Sequence, residues 1–446
     1  MNFAAILLSG LAICRLTLNG KLEVSLGTFQ PSAGDSFDIL DWGSLSGTFS
    51  TVDLAPLPVG LSWSTSRLYT SGVISVVQSP AQWNVDASGS WSVAGNWNPQ
   101  IVPNHATGVA NFLGKITAPH TVSLDGNKQV QQIAFDNGNN YTIAPGSGGT
   151  LTVGDGSVGL ITVTSGSHEI SAPLALAGNI SKIGPGTLTI SGVQNHPASS
   201  SLTTSNGQLN LNSNAGATAT GGAAAVARLA LAINGSGRVA LSANQDLRNL
   251  DITTSDPGAQ QFDLNSPITA GTFRAVHVYS ADLAAAKTSL YNAIRNALGP
   301  GAPDPTDGIF DSGQGFRPNS GIGLALVNDA HSDANIFIRL TRIGDLNLDG
   351  VVSISDFIDL ASHFNSPGTW QEGDLNYDGQ VTISDFIDLA SNFNTSYTGE
   401  VFPISPQDQQ ALNDFAAAVG ASAVPEPAAL LLPMVFSLFA RRRRGQ

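Results

Sequence analysis

The amino-acid sequence predicts a mainly β protein: a right-handed parallel β-helix, or β-solenoid, followed by a small pair of α-helices. Three observations lead to this prediction. Short apolar segments alternate with turns rich in Gly, Asn and Ser over most of the chain. The composition, with 48 glycines and only 12% charged residues, favours short strands over helix bundles. Near the C-terminus, two nearly identical acidic segments each run into a stretch of helical periodicity.

The N-terminal region divides into a leader and a strand-rich segment. Residues 1–20 are a signal-peptide candidate, because Met1–Cys14 is largely apolar. In residues 21–79, apolar and polar residues alternate within short segments, and Gly and Pro residues separate these segments. This pattern predicts strands. Their order of G-x-F, LP, GLSW and LYTSG-x-ISVV resembles the closing rungs of bacterial autotransporter-like β-helices. Such rungs at the start of an array leave an apolar edge, so we expect an upstream extension or Met1–Ala12 packed over it.

Residues 80–265 are predicted to form the β-solenoid itself. Strand-like segments recur between turns such as GSGG and GDGS, where Gly tolerates the left-handed backbone that a corner requires. The segments are Thr121–Leu124, Gln132–Phe135, Tyr141–Ile143, Leu151–Val153, Leu160–Val163, Leu188–Ile190 and Leu209–Leu211. Within this region Ile183–Gly192, IGPGTLTISG, resembles the autotransporter-associated β-strand repeat, which implies a β-helical fold.

Three tryptophans at the start of the solenoid region allow two interpretations. Trp83, Trp91 and Trp97 lie among turn residues, the last two in the segment SGSWSVAGNWNPQ. This spacing fits a hairpin that caps the solenoid. The alternative is an exposed aromatic platform that binds a sugar.

Residues 266–342 are predicted to be a mixed α/β connecting region. Ser280 is expected to N-cap a helix that ends at Gly299-Pro300. The apolar face of that helix is formed by Leu283, Leu290, Ile294 and Leu298. Two strands within Gly323–Arg342 then lead into the acidic segments.

The two acidic segments have the ligand spacing of a calcium loop. One reads GDLNLDGVVSISDFIDLASHFN and the other GDLNYDGQVTISDFIDLASNFN, with opening aspartates 29 residues apart (374 − 345 = 29). Calcium takes six to eight oxygen ligands, which such a loop supplies from positions 1, 3, 5, 7, 9 and 12. These positions hold Asp345, Asn347, Asp349, the carbonyl of Val351, Ser353 and Asp356, and then Asp374, Asn376, Asp378, the carbonyl of Gln380, Thr382 and Asp385.

Glycine placement and charge support the same interpretation. Gly350 and Gly379 occupy position 6, where the sharp turn requires a residue without a Cβ. Three carboxylates in one short loop repel each other unless a cation lies between them. An acidic surface loop before an ordinary helix is the alternative, but it does not explain the duplication of every ligand position. We therefore predict that residues 343–398 bind two Ca²⁺ ions.

The arrangement of a loop and then a helix, twice in tandem, resembles a type I dockerin module, and Asp rather than Glu stands at position 12. Dockerins bind cohesin domains and attach proteins to extracellular scaffolds, often for polysaccharide breakdown. The resemblance therefore implies a dockerin-like EF-hand pair whose partner is a cohesin-like or other surface protein. The family's partner-recognition positions fall on Ile354-Ser355 and Ile383-Ser384, which differ from the common Ser-Thr pair.

The C-terminal residues 423–446 combine three features in a fixed order. The motif VPEP precedes an apolar run from Ala428 to Ala440, which is shorter than the roughly 20 residues of a spanning helix. A basic tail follows, Arg441, Arg442, Arg443 and Arg444, which favours the cytoplasmic side of a membrane. The order resembles a PEP-CTERM sorting signal, with Pro425, Glu426 and Pro427 at the motif.

This second resemblance implies how the protein reaches its location. An exosortase would recognise the Pro-Glu-Pro motif, cleave near it and pass the protein to the cell surface. Until that cleavage, the C-terminal segment would hold the chain in the membrane. Residues 399–422, with a helix predicted at Gln407–Gly420, would serve as a helical spacer.

The sequence assigns no catalytic residue. Asp125, Asp136, Asp155 and Glu169 occur at irregular intervals, unlike the paired carboxylates of polysaccharide enzymes. The seven histidines lack the spacing of a zinc site. Asp307–Asp333 is rich in acids and is interpreted as tight turns. A net charge of −14 argues against a nucleic-acid partner, since phosphates would be repelled.

These observations support one leading hypothesis and two alternatives. The leading hypothesis is an exported, cell-surface-anchored β-helical protein with a non-catalytic adhesion or structural role and a calcium-stabilised attachment module. The first alternative is a dockerin-bearing extracellular enzyme, of glycoside hydrolase or lyase type, that acts in polysaccharide catabolism. The second is an adhesin or carbohydrate-binding scaffold. A polysaccharide is a candidate ligand in both alternatives.

Overall fold

The computed structural model describes most of the chain in two compact units, residues 1–218 and 219–446. The described residues are 15–216, 224, 227–252, 260–267, 273–300, 307–313, 319–329, 332–396 and 406–418. They form thirty strands and five α-helices. The expected mainly β class is therefore confirmed.

The first unit contains the first twenty-two described strands and one short helix. These elements are β1 (Arg15–Leu18), β2 (Lys21–Val24), β3 (Ser36–Asp38), β4 (Ser44–Gly47), β5 (Thr51–Leu54), β6 (Leu61–Ser64), α1 (Leu68–Ser71), β7 (Val73–Gln78), β8 (Ala81–Trp83), β9 (Gly89–Ser90), β10 (Trp97–Asn98), β11 (Val109–Phe112), β12 (His120–Asp125), β13 (Lys128–Val130), β14 (Gln132–Asp136), β15 (Tyr141–Gly148), β16 (Leu151–Val153), β17 (Val158–Ser165), β18 (Ser167–Ile170), β19 (Leu174–Leu176), β20 (Asn179–Ile183), β21 (Thr187–Ile190) and β22 (Ser201–Leu211).

The N-terminal part of this unit forms three small sheets. β1 pairs in parallel with β4, and β2 pairs in parallel with β5. β7 lies between β3 and β6 and is antiparallel to both. Helix α1 ends at Gly72, whose φ is 74° and where an added Cβ would lie 1.7 Å from the Leu40 carbonyl oxygen. Only glycine fits that turn.

Three parallel ladders organise the rest of the unit. Each strand pairs with a strand from the next turn of chain, so that Ile133 pairs with Ile161 and Val122 with Ile143. The ladders run β8-β11-β14-β17-β20-β22, then β9-β12-β15-β18-β21-β22, and then β13-β16-β19. The seven segments predicted as strands all lie in these ladders. Their alternating apolar residues face the interior, as Val122 and Leu124 do.

The tryptophan cluster lies inside this unit rather than on its surface. Trp83, Trp91 and Trp97 are fully buried, and the Trp97 ring centroid is 5.3 Å from that of Trp83 and 5.1 Å from that of Trp91. The indole N–H groups of Trp91 and Trp97 donate to the carbonyls of Pro103 and Trp91. The sugar-platform interpretation is therefore wrong, because no indole face is open to a ligand. β8 and β10 pair antiparallel, as a capping hairpin requires.

The second unit contains the remaining strands and the longer helices. These elements are β23 (Ala230–Leu241), β24 (Gln245–Leu247), β25 (Asn249–Ile252), β26 (Gln261–Asp263), β27 (Ala275–Val278), α2 (Leu283–Leu298), β28 (Gly308–Phe310), β29 (Ser320–Asn328), β30 (Ala334–Arg342), α3 (Ile354–Ser362), α4 (Ile383–Ser391) and α5 (Pro406–Ala418). A four-stranded sheet has the order β24-β27-β30-β29. β23 pairs in parallel with β25 and β26, and β26 with β28.

Helix α2 occurs where the sequence predicts it, with a different N-cap. The carboxylate of Asp282 accepts the backbone N–H of Ala285 at 3.0 Å. The expected cap, Ser280, instead bonds to the backbone of Asp282. The prediction was wrong because the N-cap side chain must lie directly before the first helical residue, Leu283, to reach the free N–H groups of the first turn.

Membrane segments are not found among the described residues. No helix in those ranges is both long and apolar enough to cross a bilayer. Residues 1–14 of the signal-peptide candidate at 1–20 and the predicted sorting signal at 423–446 lie outside the described residues, whereas Arg15–Leu18 form β1.

Candidate metal centre

The first acidic loop is closed by its own predicted ligands. The carboxylate of Asp345 accepts the backbone N–H of Gly350 at 3.0 Å. The side-chain oxygen of Asn347 accepts the N–H of Asp349, and the carboxylate of Asp349 accepts the N–H of Val351, both at 2.9 Å. These bonds fold positions 1 to 7 into a tight turn.

Asp356, at position 12, joins the end of this loop to its beginning. Its Oδ1 accepts the N–H groups of Leu346 at 2.8 Å and Asn347 at 3.3 Å. Its Oδ2 accepts the N–H of Ser353 at 2.8 Å and the Ser353 hydroxyl at 3.0 Å. Ser353 also N-caps α3 in a capping box with Asp356, so the loop and its helix form one unit.

The second loop repeats this pattern. Its position-1 carboxylate, on Asp374, accepts the N–H of Gly379 at 2.7 Å. Asp385, at position 12, accepts the N–H of Leu375 at 2.9 Å and that of Thr382 at 2.8 Å. The corresponding bonds within positions 3 to 7 link Asn376 to Asp378 and Asp378 to Gln380.

The two repeats are interlocked through the residues that follow their helices. Val351, at position 7 of the first loop, bridges Ser396, which follows α4. Gln380, the corresponding residue of the second loop, bridges Pro367, which follows α3. Each loop is thus held by the other repeat, and the aromatic ring of Phe357 lies 6.0 Å from that of Phe386 in the shared core.

Burial makes these carboxylates unusual. The side chains of Asp345, Asp356, Asp374 and Asp385 are fully buried. Burial raises the pKa of Asp345 to about 7, and the charge of Asp356 adds to this effect. Burial likewise raises the pKa of Asp374 to about 6, with a further contribution from Asp385. A buried acid without a positive partner is unfavourable, and a bound cation reverses that penalty.

The two loops differ in the atoms left without a partner. Oδ1 of Asp345 is buried and has no hydrogen-bond partner in the described part of the chain. In the second loop, Oδ1 of Asp374 accepts the Asp378 N–H at 3.0 Å, and Oδ2 also accepts the Tyr291 hydroxyl at 2.7 Å. A buried carboxylate oxygen with a free lone pair is the kind of atom that a calcium ion binds.

The donor set decides which metal fits. Among the described residues, no three His, Cys, Asp or Glu side chains form a group that could hold a metal ion by themselves. The predicted set adds amide, hydroxyl and backbone carbonyl oxygens to the carboxylates, and it contains no nitrogen or sulfur. Such an all-oxygen set suits calcium rather than zinc, so the residues fit Ca²⁺ on donor type and on the free oxygen of Asp345.

The helices present a surface feature that the sequence analysis missed. Ile358 is 58% exposed and Ile387 is 44% exposed, and they occupy equivalent positions of α3 and α4. The neighbouring residues Ser355 and Ser384 are also exposed. The sequence does carry a signal for this feature, because both isoleucines fall outside the apolar stripe of their repeat, which consists of Phe357, Leu360 and Phe364 or of Phe386, Leu389 and Phe393.

Two further features of the described residues lie outside the loops, an acid-rich turn and an apolar pocket. In the described part of Asp307–Asp333, Asp311 accepts the N–H groups of Ser266 and Gly313, which agrees with a turn. In the first unit a small apolar pocket is lined by Val24, Ser25, Leu26, Phe29, Phe37, Ile39, Trp63 and Ile74. These lining residues include no acid or base. The residues predicted to act in sorting, Pro425, Glu426, Pro427 and Arg441–Arg444, lie outside the described residues.

Comparisons with protein-family models, with curated proteins and with solved structures found no match to this chain. Function is therefore inferred from the residues and contacts described above.

Proposed function

We propose that the protein is exported to the cell surface and has a non-catalytic adhesion or structural role there. A calcium-stabilised, dockerin-like module would attach it to another protein. The observation that carries this proposal is the duplication of the loop hydrogen bonds, in which Asp345 and Gly350 pair as Asp374 and Gly379 do. A duplicated loop of this geometry is typical of calcium sites and has no evident use as a plain surface turn.

Each loop would hold one Ca²⁺ through its six predicted positions. The bound ion would offset the mutual repulsion of the three carboxylates of a loop. Oδ1 of Asp345 is available for this role, whereas Asp356 would have to give up one of the four hydrogen bonds that its two oxygens accept. The backbone N–H bonds hold the carboxylates in place before the ion arrives, which reduces the entropy that binding would otherwise lose.

We infer that the three ladders of the first unit are the faces of a right-handed parallel β-helix. The support is that strands from each ladder recur in the same order in successive turns of chain, such as β11, β12 and β13 and then β14, β15 and β16. Connections between parallel strands of one sheet are right-handed in nearly all proteins. A β-helix provides the extended surface that an adhesive or structural protein needs.

The partner would bind through the exposed isoleucines of α3 and α4. Ile358 and Ile387 are exposed at equivalent positions of their helices, each close in sequence to an exposed serine, Ser355 or Ser384. We propose a cohesin-like or other surface protein as the partner. Ile358→Asp combined with Ile387→Asp would replace both exposed apolar side chains by charged ones and should abolish retention of such a partner.

The C-terminal signal would provide the route to the surface. Helix α5 ends at Ala418, a few residues before Pro425-Glu426-Pro427. We propose that an exosortase cleaves near this motif, so that the chain is held transiently in the membrane and then released to the cell envelope or surface.

Calorimetric titration of the full chain with Ca²⁺, after removal of metal by a chelator, tests the module. Two equivalents should bind, and Asp345→Ala or Asp374→Ala should each remove one. Asp359→Ala, in α3 and outside the ligand positions, is the matched control. A chain that takes up no calcium would overturn the proposed module.

A panel of polysaccharides separates the non-catalytic role from the enzymatic alternative. Each polysaccharide is tested once for retention of the protein and once for release of new reducing or unsaturated ends. We expect no depolymerisation. Reproducible release of such ends from any member would favour the polysaccharide-degrading alternative.

A further inference from the structure

Each calcium loop receives a hydroxyl group from outside the repeats. The Thr341 hydroxyl, on β30, donates to Oδ2 of Asp345. The Tyr291 hydroxyl, on α2, lies 2.7 Å from Oδ2 of Asp374 and 3.0 Å from the Asp374 carbonyl oxygen. Both donors therefore reach the position-1 ligand, and both reach the same oxygen that accepts the N–H of the position-6 glycine.

An arginine from outside the repeats also lies beside each loop. Nη2 of Arg339, on β30, is 4.0 Å from Oδ2 of Asp345. In α2, Arg295 donates to the carbonyls of Tyr377 at 3.1 Å and Asp378 at 2.9 Å. A Cβ added at Gly379 would lie 2.9 Å from Arg295 Cζ, so the guanidinium packs directly on the turn of the second loop.

Further contacts fix α2 and the β29–β30 hairpin to the repeats. Lys287 of α2 pairs with Glu372 at 2.6 Å, and neither side chain is more than 24% exposed. The backbone N–H of Ile322, in β29, donates to the hydroxyl oxygen of Tyr377 at 2.8 Å. The Trp370 indole N–H, between the repeats, donates to the carbonyl of Asp345 at 2.7 Å. The repeats and the preceding region thus share one buried interface.

We propose that the two calcium sites are completed by the region before the repeats, with Thr341 and Tyr291 as positioning residues for the first and second ions. This inference rests on the proposed calcium module. It adds that α2 and β30, in the same unit, contribute to the two calcium sites. Hydrogen bonds to ligand carboxylates typically change metal affinity 10- to 100-fold. Because linkage is reciprocal, calcium should stabilise the docking of α2 and β30 as much as they stabilise calcium binding.

The test measures the two sites separately in the full-length protein. Tyr291→Phe keeps the ring and removes the donor, and it should weaken one of the two calcium sites about tenfold while the other is unchanged. Thr341→Val should weaken the other site. The matched control is Tyr279→Phe, whose hydroxyl donates to Asp329, away from both loops. Affinities are obtained by competition with a fluorescent chelator.

Hydrogen exchange on the unmodified protein gives an independent measurement. Calcium should slow exchange of the α2 amides around Tyr291 and of β30 as well as of the loops. In Asp374→Ala, calcium should still protect β30 but no longer α2. One outcome would contradict the coupling but not the calcium module: the wild type binds two ions, Tyr291→Phe keeps both affinities, and calcium does not change hydrogen exchange in α2. If the wild type binds none, both proposals fall.

Discussion

The ring of Phe415 in α5 lies 4.9 Å, centroid to centroid, from the ring of Phe386 in α4. It also lies 5.2 Å from Phe357 and 5.1 Å from Phe364, both edge to face. The helix predicted as a spacer is therefore a third helix packed over the apolar faces of the two repeat helices, where Leu412 and Ala416 are buried.

Phe415→Ala should detach α5 from the repeats. The side chain is only partly buried, so the expected loss is about 2 kcal/mol, below that of a fully buried phenylalanine. Amides of α5 should then exchange rapidly in calcium-saturated protein. Asn413→Ala, on the exposed face of the same helix, should leave exchange unchanged. Equal protection of α5 in both variants would contradict the packing role of Phe415.

His196 should make the first unit less stable in mild acid. Its Nδ1 accepts the Leu176 N–H at 3.0 Å, so the ring is neutral, and burial lowers its pKa to about 4. The unfolded chain takes up the proton near pH 6.5, so stability is complete above that pH and falls toward pH 4. The loss between pH 7 and pH 5 should be about 2 kcal/mol.

Urea unfolding at both pH values, followed by near-ultraviolet circular dichroism of the buried tryptophans, measures this effect. His196→Gln should lose less stability than the wild type on acidification. His105→Gln, a partly buried histidine of the same unit, should behave as the wild type does. An identical pH dependence in wild type and His196→Gln would rule out the histidine as its source.

Lys182 should be a structural lysine whose removal destabilises the first unit. It is fully buried, and its Nζ donates to the carbonyls of Gly184 at 2.9 Å, Gly186 at 2.8 Å and Asn206 at 2.6 Å. Burial lowers its pKa to about 8, so it stays largely protonated at pH 7. Lys182→Met should cost about 3 kcal/mol, because the carbonyls lose a charged donor.

Chemical denaturation at pH 7 checks the lysine prediction against an exposed counterpart. Lys115→Met, on the surface of the same unit, should change stability by less than about 0.5 kcal/mol. If both substitutions have equally small effects, the three carbonyls do not depend on Lys182.

Protein extracted from the cell surface should lack the Arg441–Arg444 tail. Glu426→Ala changes the sorting motif, so this variant should keep the tail and remain in the inner membrane. Mass spectrometry of the surface and membrane fractions measures the C-terminus directly. Asp414→Ala, which also removes an acidic side chain but lies in α5 outside the motif, is the control and should be processed normally. An intact Gln446 terminus on surface material would exclude this route.

The sequence by itself determined the features that depend on local chemistry. Alternation of apolar residues predicted strands such as β12 and β14, because a strand exposes opposite faces to core and solvent. Helical spacing predicted α2, α3, α4 and α5 to within a few residues at their ends. The contacts of Asp345 with Gly350 and of Asp374 with Gly379 are also local, because each joins residues only five positions apart in the sequence.

Only the tertiary structure decided which faces are covered and by what. Nothing in the sequence near Tyr291 indicates that its hydroxyl reaches Asp374, 83 residues away, or that Phe415 packs on Phe386. The same holds for Trp97, whose burial against Trp83 excludes the sugar platform that its spacing allowed. Periodicity reports which side of an element is apolar. The element that covers that side is selected by long-range packing, which depends on the whole fold.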